Sequence, residues 1–90
     1  MEIKSIMCCC GSGLGSSMLI RINVEKVIKK MGVTGVDITH SSVSDANEHS
    51  ADLFVIGNDL ENFASSLPRK ILLENIMDID ELETKLKEWF

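Results

Sequence analysis

Three cysteines stand side by side at positions 8–10, directly before a loop of glycines and serines at positions 11–17. Cysteine is suited to nucleophilic attack because its thiolate forms near neutral pH, above all beside a helix N-terminus, which lowers a thiol pKa from about 8.5 to roughly 3.5–7.5. The loop glycines allow several amide N–H groups to converge on one point. The helical pattern that begins near Ser16 directs its positive end at the same point. The loop is therefore predicted to bind an anion, either the Cys10 thiolate or a phosphoryl group attached to it.

The elements that position this loop alternate along the chain. Apolar runs or period-two alternation predict β-strands at 3–9, 36–41, 51–57 and 70–76. Apolar residues at helical spacing predict helices at 16–31 and 78–90, with a short polar helix or turn at 44–48 and at least one helical turn within 58–67. Strands that alternate with helices predict an α/β fold, with a parallel sheet of about four strands and helices on both faces.

Composition limits the function classes. The chain has 90 residues, 44% of them hydrophobic, which predicts one small domain spanning residues 1–90 with its chemistry at a surface edge. The net charge is −5 and the nine basic residues are scattered, which argues against nucleic acid. No apolar run reaches the ~18 residues of a membrane span, and residues 1–4 lack the charged-then-apolar layout expected of a signal peptide. Three adjacent cysteines form neither a disulfide framework nor a metal site. We expect a cytosolic protein with no metal and no cofactor.

Other glycine-rich loops fit this sequence poorly. The glycines at 11, 13 and 15 give G-x-G-x-G, which is not the dinucleotide pattern, and the lysine of an ATP-binding Walker loop is absent. Cysteine phosphatases and arsenate reductases carry an arginine six positions after the nucleophile, then a serine or threonine. Here Ser16 occupies the arginine position and Ser17 follows it. The sequence therefore lacks the cation that would clamp a phosphoryl group for hydrolysis.

The stretch from Cys10 to Met18, CGSGLGSSM after an apolar strand, resembles the phosphorylation loop of enzyme IIB subunits of the bacterial sugar phosphotransferase system. It is most similar to the ascorbate type within the ascorbate and galactitol group. The resemblance is specific over residues 3–31, and beyond them only the order and length of the elements agree. It implies a Rossmann-like fold, similar to that of low-molecular-weight tyrosine phosphatase, with the phosphate-binding loop after the first strand.

The resemblance also implies a function. Cys10 would accept phosphate from a phosphohistidine of enzyme IIA and donate it to a sugar held by the membrane permease, enzyme IIC, beside which the protein would work in the cytoplasm. This makes the chain a protein-phosphohistidine–sugar phosphotransferase. The phosphate-binding residues would be Gly11, Ser12, Gly13, Leu14, Gly15, Ser16 and Ser17. Two alternatives stay open: a cysteine phosphatase or arsenate reductase-like enzyme, and a regulatory module read through its phosphorylation. The loop does not reveal which sugar is carried.

Several reactive side chains outside the loop have less specific interpretations. Cys8 and Cys9 lie within the predicted strand, where cysteine behaves as a small buried apolar residue with a raised thiol pKa. The two histidines and two arginines, His40, His49, Arg21 and Arg69, are interpreted first as surface or core-edge residues. Either arginine could still approach the phosphate or face a partner.

Overall fold

A computed structural model describes residues 2–11 and 15–90. Its elements follow one another as β1 (Ser5–Cys10), α1 (Ser16–Lys30), β2 (Asp37–Ser42), β3 (Leu53–Gly57), a 3₁₀ helix (Asn58–Ala64), β4 (Lys70–Leu73) and α2 (Ile79–Leu86). The predicted order of strands and helices is confirmed.

The four strands form one parallel sheet in the order β2-β1-β3-β4. β1 is central, and its register places Cys9 beside Ser41 of β2 and beside Ile56 of β3. Because all four strands run the same way, their carboxyl ends meet at one edge of the sheet, and ligands of such sheets bind outside that edge. The topology thus brings the end of β1 to the position expected for a binding site.

Apolar side chains alternate between the two faces of the sheet. One face carries Ile6 and Cys8 of β1, and both α1 and α2 pack on it through buried residues such as Val24 and Leu86. The opposite face has a smaller core around Phe54, covered by the 3₁₀ helix and the segment before β3. The predicted α/β class with a parallel four-stranded sheet is confirmed, and the two longer helices share one face.

Local sequence explains where the helices begin and end. α1 buries the side chains that recur at helical spacing and ends with two lysines, which suit the negative end of its dipole. Gly32 follows in a left-handed conformation with φ of 74°, which terminates the helix at low cost. In α2 the side chain of Asp78 caps the first turn by accepting the backbone N–H of Glu81 at 3.1 Å.

Several predicted bounds differ from the structure. β1 runs from Ser5 to Cys10, so the cysteine expected to follow the strand is its last residue. The fourth strand ends at Leu73 instead of residue 76, because the next residues turn to form the connection to α2. The closing helix ends at Leu86, so Phe90 lies beyond it and is exposed, and Ile79 at its first position is also exposed. Leu82 and Leu86 alone form its buried stripe.

Candidate functional site at the carboxyl end of the sheet

Cys10 is the last residue of β1. Cys10 is only 6% exposed. Its carbonyl oxygen accepts the backbone N–H of Val43 at 2.8 Å, which ties the strand end to the segment after β2. Gly11, directly after it, is exposed and begins the connection to α1. The strand therefore holds the Cys10 backbone firmly at the edge where the chain opens to solvent.

The N-terminus of α1 follows five residues after Gly11. Gly15 precedes the helix with φ of 70°, a left-handed conformation that favours glycine, and its carbonyl accepts the N–H groups of Met18 and Leu19. Among the residues that the structure describes, no side chain caps this end, and the first turn contains no acidic residue. The first turn of α1 thus carries no carboxylate of its own against the positive end of the helix dipole, which suits an anion.

The two serines that open α1 occupy different environments. Ser16 is exposed and lines the cavity described below. Ser17 is fully buried, and its Oγ has no hydrogen-bond partner among residues 2–11 and 15–90. A buried hydroxyl without a partner costs about 1–3 kcal/mol, so such a group is a candidate for contact with a ligand or a shifted loop. The predicted phosphate-binding residues Ser12, Gly13 and Leu14 lie outside the described residues.

The two cysteines before Cys10 are buried in opposite faces of the sheet. Cys8 belongs to the core under α1 and Cys9 to the smaller core on the other face. Burial raises the pKa of the Cys8 thiol far above its ordinary value, and burial together with neighbouring Cys10 raises the pKa of Cys9 to about 11. Their interpretation as buried apolar residues is confirmed, and at neutral pH neither is a ready nucleophile.

A cavity of about 660 Å³ opens at the carboxyl edge of the sheet. Cys9 and Cys10 line it from β1, Gly11 lines it directly after that strand, and Ser16 and Ile20 line it from α1. The ends of β3 and β4, with the residues that follow them, form the remaining walls. The cysteine, the start of the helix and an open space for a reaction partner thus share one site.

Four polar residues of this cavity were missed by the sequence analysis. Asn58 and Asp59 follow β3, and Glu74 and Asn75 follow β4. A signal for them was present, since each pair comes directly after an apolar strand and parallel strands end at a common edge.

The wall formed by residues 74–78 is held by side chains of both helices. The Glu81 carboxylate of α2 accepts the backbone N–H groups of Glu74 at 2.8 Å and Asn75 at 3.1 Å. Asn23 of α1, only 8% exposed, donates from Nδ2 to the carbonyl oxygen of Ile76 at 3.4 Å. These contacts fix the backbone of the wall relative to both helices.

The histidines and arginines do not join the cavity. His40 lies within β2 and pairs in register with Cys8, and His49 is exposed, with Nε2 3.4 Å from Oε1 of Glu48. Nε of Arg21 donates to Glu25 at 2.9 Å on α1. Arg69 lies before β4, at the opposite edge of the sheet, where its Nε donates to the carbonyl of Asp52. Among the described residues, neither arginine lines the space beside Cys10.

Within residues 2–11 and 15–90, no group of three side chains is arranged to hold a metal ion. No helix in that part of the chain has the length and apolar character needed to cross a bilayer.

Comparison with known proteins gives two matches. Residues 5–88 match the model of a family described as the lactose/cellobiose-specific IIB subunit of the phosphotransferase system. The chain is also 37% identical, over 93 aligned residues, to a protein of Mycoplasma pneumoniae named the ascorbate-specific PTS system EIIB component. That alignment covers 98% of each chain. Both similarities extend well beyond the cysteine loop.

Proposed function

This chain belongs to the enzyme IIB family of the sugar phosphotransferase system, and we propose that Cys10 is its phosphoryl carrier. In this proposal Cys10 takes phosphate from a phosphohistidine of enzyme IIA and passes it to a sugar bound by the permease, enzyme IIC. Residues 1–90 act as a single IIB domain beside the cytoplasmic face of that permease.

The observation that carries the proposal is the position of Cys10. It ends the central strand, lines the cavity and directly precedes the loop to the uncapped N-terminus of α1. Cys8 and Cys9 are fully buried and hold raised pKa values, so they compete poorly for a phosphoryl group. Cys9 also borders the cavity but is fully buried, whereas Cys10 is 6% exposed and directly precedes the loop to α1.

The proposed reaction has two balanced steps. The Cys10 thiolate attacks the phosphorus of the phosphohistidine, so an S–P bond forms, the N–P bond breaks and imidazole leaves. A sugar hydroxyl then attacks the same phosphorus, so an O–P bond forms and the S–P electron pair returns to sulfur. Between these steps the phosphocysteine carries about −1.5 to −2 charges if it resembles other phosphorylated side chains. We assign its binding to the loop from Gly11 to Ser17 and to the first amides of α1.

The same site lacks the arginine that phosphatases use to accelerate hydrolysis. Position 16 offers a serine hydroxyl in place of a guanidinium, Arg21 is engaged with Glu25, and Arg69 lies at the far edge of the sheet. Arginine contributes roughly 10³ to 10⁵ to the rate of phosphoryl transfer in enzymes that use it. We therefore expect phosphocysteine to persist in buffer and p-nitrophenyl phosphate to turn over negligibly.

A surface for the partners is present beside the loop. Met18, Leu19 and Ile22 of α1 are 43–48% exposed although they are large apolar residues. Grouped apolar side chains on the surface of a small domain are typical of protein–protein contact sites. This group supports docking of enzyme IIA and enzyme IIC around Cys10.

We propose L-ascorbate or a related compound as the sugar. This rests on the name of the Mycoplasma pneumoniae relative, whose alignment includes almost all of both chains.

The direct test supplies phosphorylated enzyme IIA and searches the Cys10 peptide for one added phosphate by mass spectrometry. Cys10→Ser is expected to abolish uptake, because a serine hydroxyl has no accessible anionic form near pH 7. Cys9→Ser is the matched control and is expected to change stability more than uptake. Uptake that survives Cys10→Ser but disappears in Cys9→Ser would refute the assignment. Rapid turnover of p-nitrophenyl phosphate that depends on Cys10 would show a phosphatase instead.

A further inference from the structure

Asp59 occupies a distinctive position in the cavity beside Cys10. It lies in the first turn of the 3₁₀ helix, and its carboxylate folds back over the end of β3. A Cβ atom placed on Gly57 would lie only 2.6 Å from Asp59 Oδ1, so the glycine leaves the space that the carboxylate uses. This places a carboxylate directly above a strand end.

The sheet register relates that strand end to the nucleophile. Cys9 pairs with Ile56, so the next residues, Cys10 and Gly57, lie side by side on neighbouring strands. Neighbouring strands are about 4.8 Å apart. The Asp59 carboxylate is therefore about one strand spacing to the side of the Cys10 backbone, and both residues line the same open space.

The two steps of the proposed function differ in their need for a base. A thiolate that attacks a phosphohistidine has no proton to lose. A hydroxyl that attacks a phosphocysteine must lose its proton as the O–P bond forms, and a positioned carboxylate is the group that protein kinases use for this purpose.

We propose that Asp59 is the general base of the second step, a proposal that rests on the proposed function. As the acceptor oxygen bonds to phosphorus and the S–P bond breaks, the electron pair returns to Cys10 and the hydroxyl proton passes to the Asp59 carboxylate. Within the described residues this carboxylate has no hydrogen-bond or ion-pair partner, so its lone pairs are available to a hydroxyl.

Glu74 is the other carboxylate of the cavity and the natural competitor for this role. Glu74 belongs to the wall after β4, an edge strand that pairs with β3 and not with β1. Glu74 therefore starts one strand farther from Cys10 than Asp59 does. The geometry favours Asp59.

The test compares two small acceptors, one of which needs a base and one of which does not. The protein is loaded from phosphorylated enzyme IIA and separated from it, and loss of phosphate is then followed in concentrated glycerol and in imidazole. Glycerol attacks through a hydroxyl that must be deprotonated, whereas neutral imidazole attacks through a nitrogen lone pair. Each variant is scored by the ratio of the glycerol rate to the imidazole rate, which cancels general effects on phosphocysteine stability.

We expect Asp59→Asn to lower this ratio roughly 10²-fold, the low end for loss of a general base. Asp59→Glu keeps a carboxylate and should restore part of the ratio. Glu61→Gln is the matched control, because Glu61 is exposed in the same 3₁₀ helix but does not line the cavity.

Three outcomes would overturn the assignment: an unchanged ratio in Asp59→Asn, an equal fall in Glu61→Gln, or a fall in Glu74→Gln without one in Asp59→Asn. Failure of the wild-type protein to take up phosphate would refute the proposed function itself and this inference with it. The two failures can be told apart, because phosphate uptake is measured before the acceptors are compared.

Discussion

Glu81 links the stability of the fold to the shape of the cavity, and its replacement by glutamine is a quantitative test of the structure. Its carboxylate accepts two backbone N–H groups of the wall after β4 and pairs with Nζ of Lys85 at 2.8 Å. The side chain is only 16% exposed. The Lys85 hydrogen bond, followed by the N–H of Glu74, lowers the pKa of Glu81 from 4.5 to about 2.

The structure sets the size of the expected effect. A fall in pKa from 4.5 to about 2 corresponds to a free energy of about 3.4 kcal/mol in favour of the folded, ionised state. Water screens part of this interaction at the protein surface, and glutamine keeps one oxygen that still accepts a hydrogen bond. We therefore expect Glu81→Gln to lower the free energy of unfolding by about 1.5 kcal/mol at pH 7, or Tm by about 6–12 °C.

The pH dependence has a definite sign. Because the carboxylate has a lower pKa in the folded state, its stabilisation is complete above about pH 4.5 and is lost as the pH falls towards about 2. With these two pKa values, proton binding to the unfolded state removes about 40% of the stabilisation by the Glu81 carboxylate at pH 3.5. Urea unfolding of the wild type and Glu81→Gln at pH 7 and pH 3.5 should show the difference between them shrink by that fraction.

A matched control separates this contact from general charge effects. Glu88 is exposed just beyond the end of α2, and Glu88→Gln should change the free energy of unfolding by less than about 0.5 kcal/mol. Equal losses for Glu81→Gln at both pH values, or no loss at pH 7, would show that the carboxylate does not hold the cavity wall as described.

Three further predictions concern the cysteine loop. In the native protein, a thiol reagent should label Cys10 and spare Cys8 and Cys9, which are fully buried. Mass spectrometry of the labelled peptides measures this. Labelling of Cys9 in the native protein would contradict the prediction. Gly15→Val has space for its side chain, but valine must adopt a φ near 70° there, which strains the backbone. This variant should take up phosphate from enzyme IIA several-fold more slowly, while circular dichroism shows an intact fold. Uptake at the wild-type rate would count against a loop shaped by this glycine. Ser17→Ala removes a buried hydroxyl that has no partner among the described residues. In urea unfolding of the unphosphorylated protein, the free energy of unfolding should stay the same or rise by up to about 1 kcal/mol. A fall of more than about 1 kcal/mol would reveal a partner.

Much of the fold was predictable from local pattern. The strand from Leu53 to Gly57 is fully buried and reads as an unbroken apolar run, and α1 begins and ends where spacing, serines, lysines and Gly32 place it. These features depend on residues close together in the chain. The ends of β4 and α2 were less predictable, because Glu74 and Asn75 leave the strand to bond to Glu81, seven and six residues farther on.

The sequence by itself determined the nucleophile that we propose and the loop that would hold its phosphate, because cysteine, glycines, serines and helix start are contiguous along the chain. Only the tertiary structure decided what faces Cys10. Strand order puts β3 beside β1, register puts Gly57 beside Cys10, and the missing side chain of Gly57 leaves room for Asp59. Asp59 is 49 positions away from Cys10 in the chain. No local pattern encodes such a neighbour, because pairing between distant strands is set by how the two apolar faces of the whole sheet are buried.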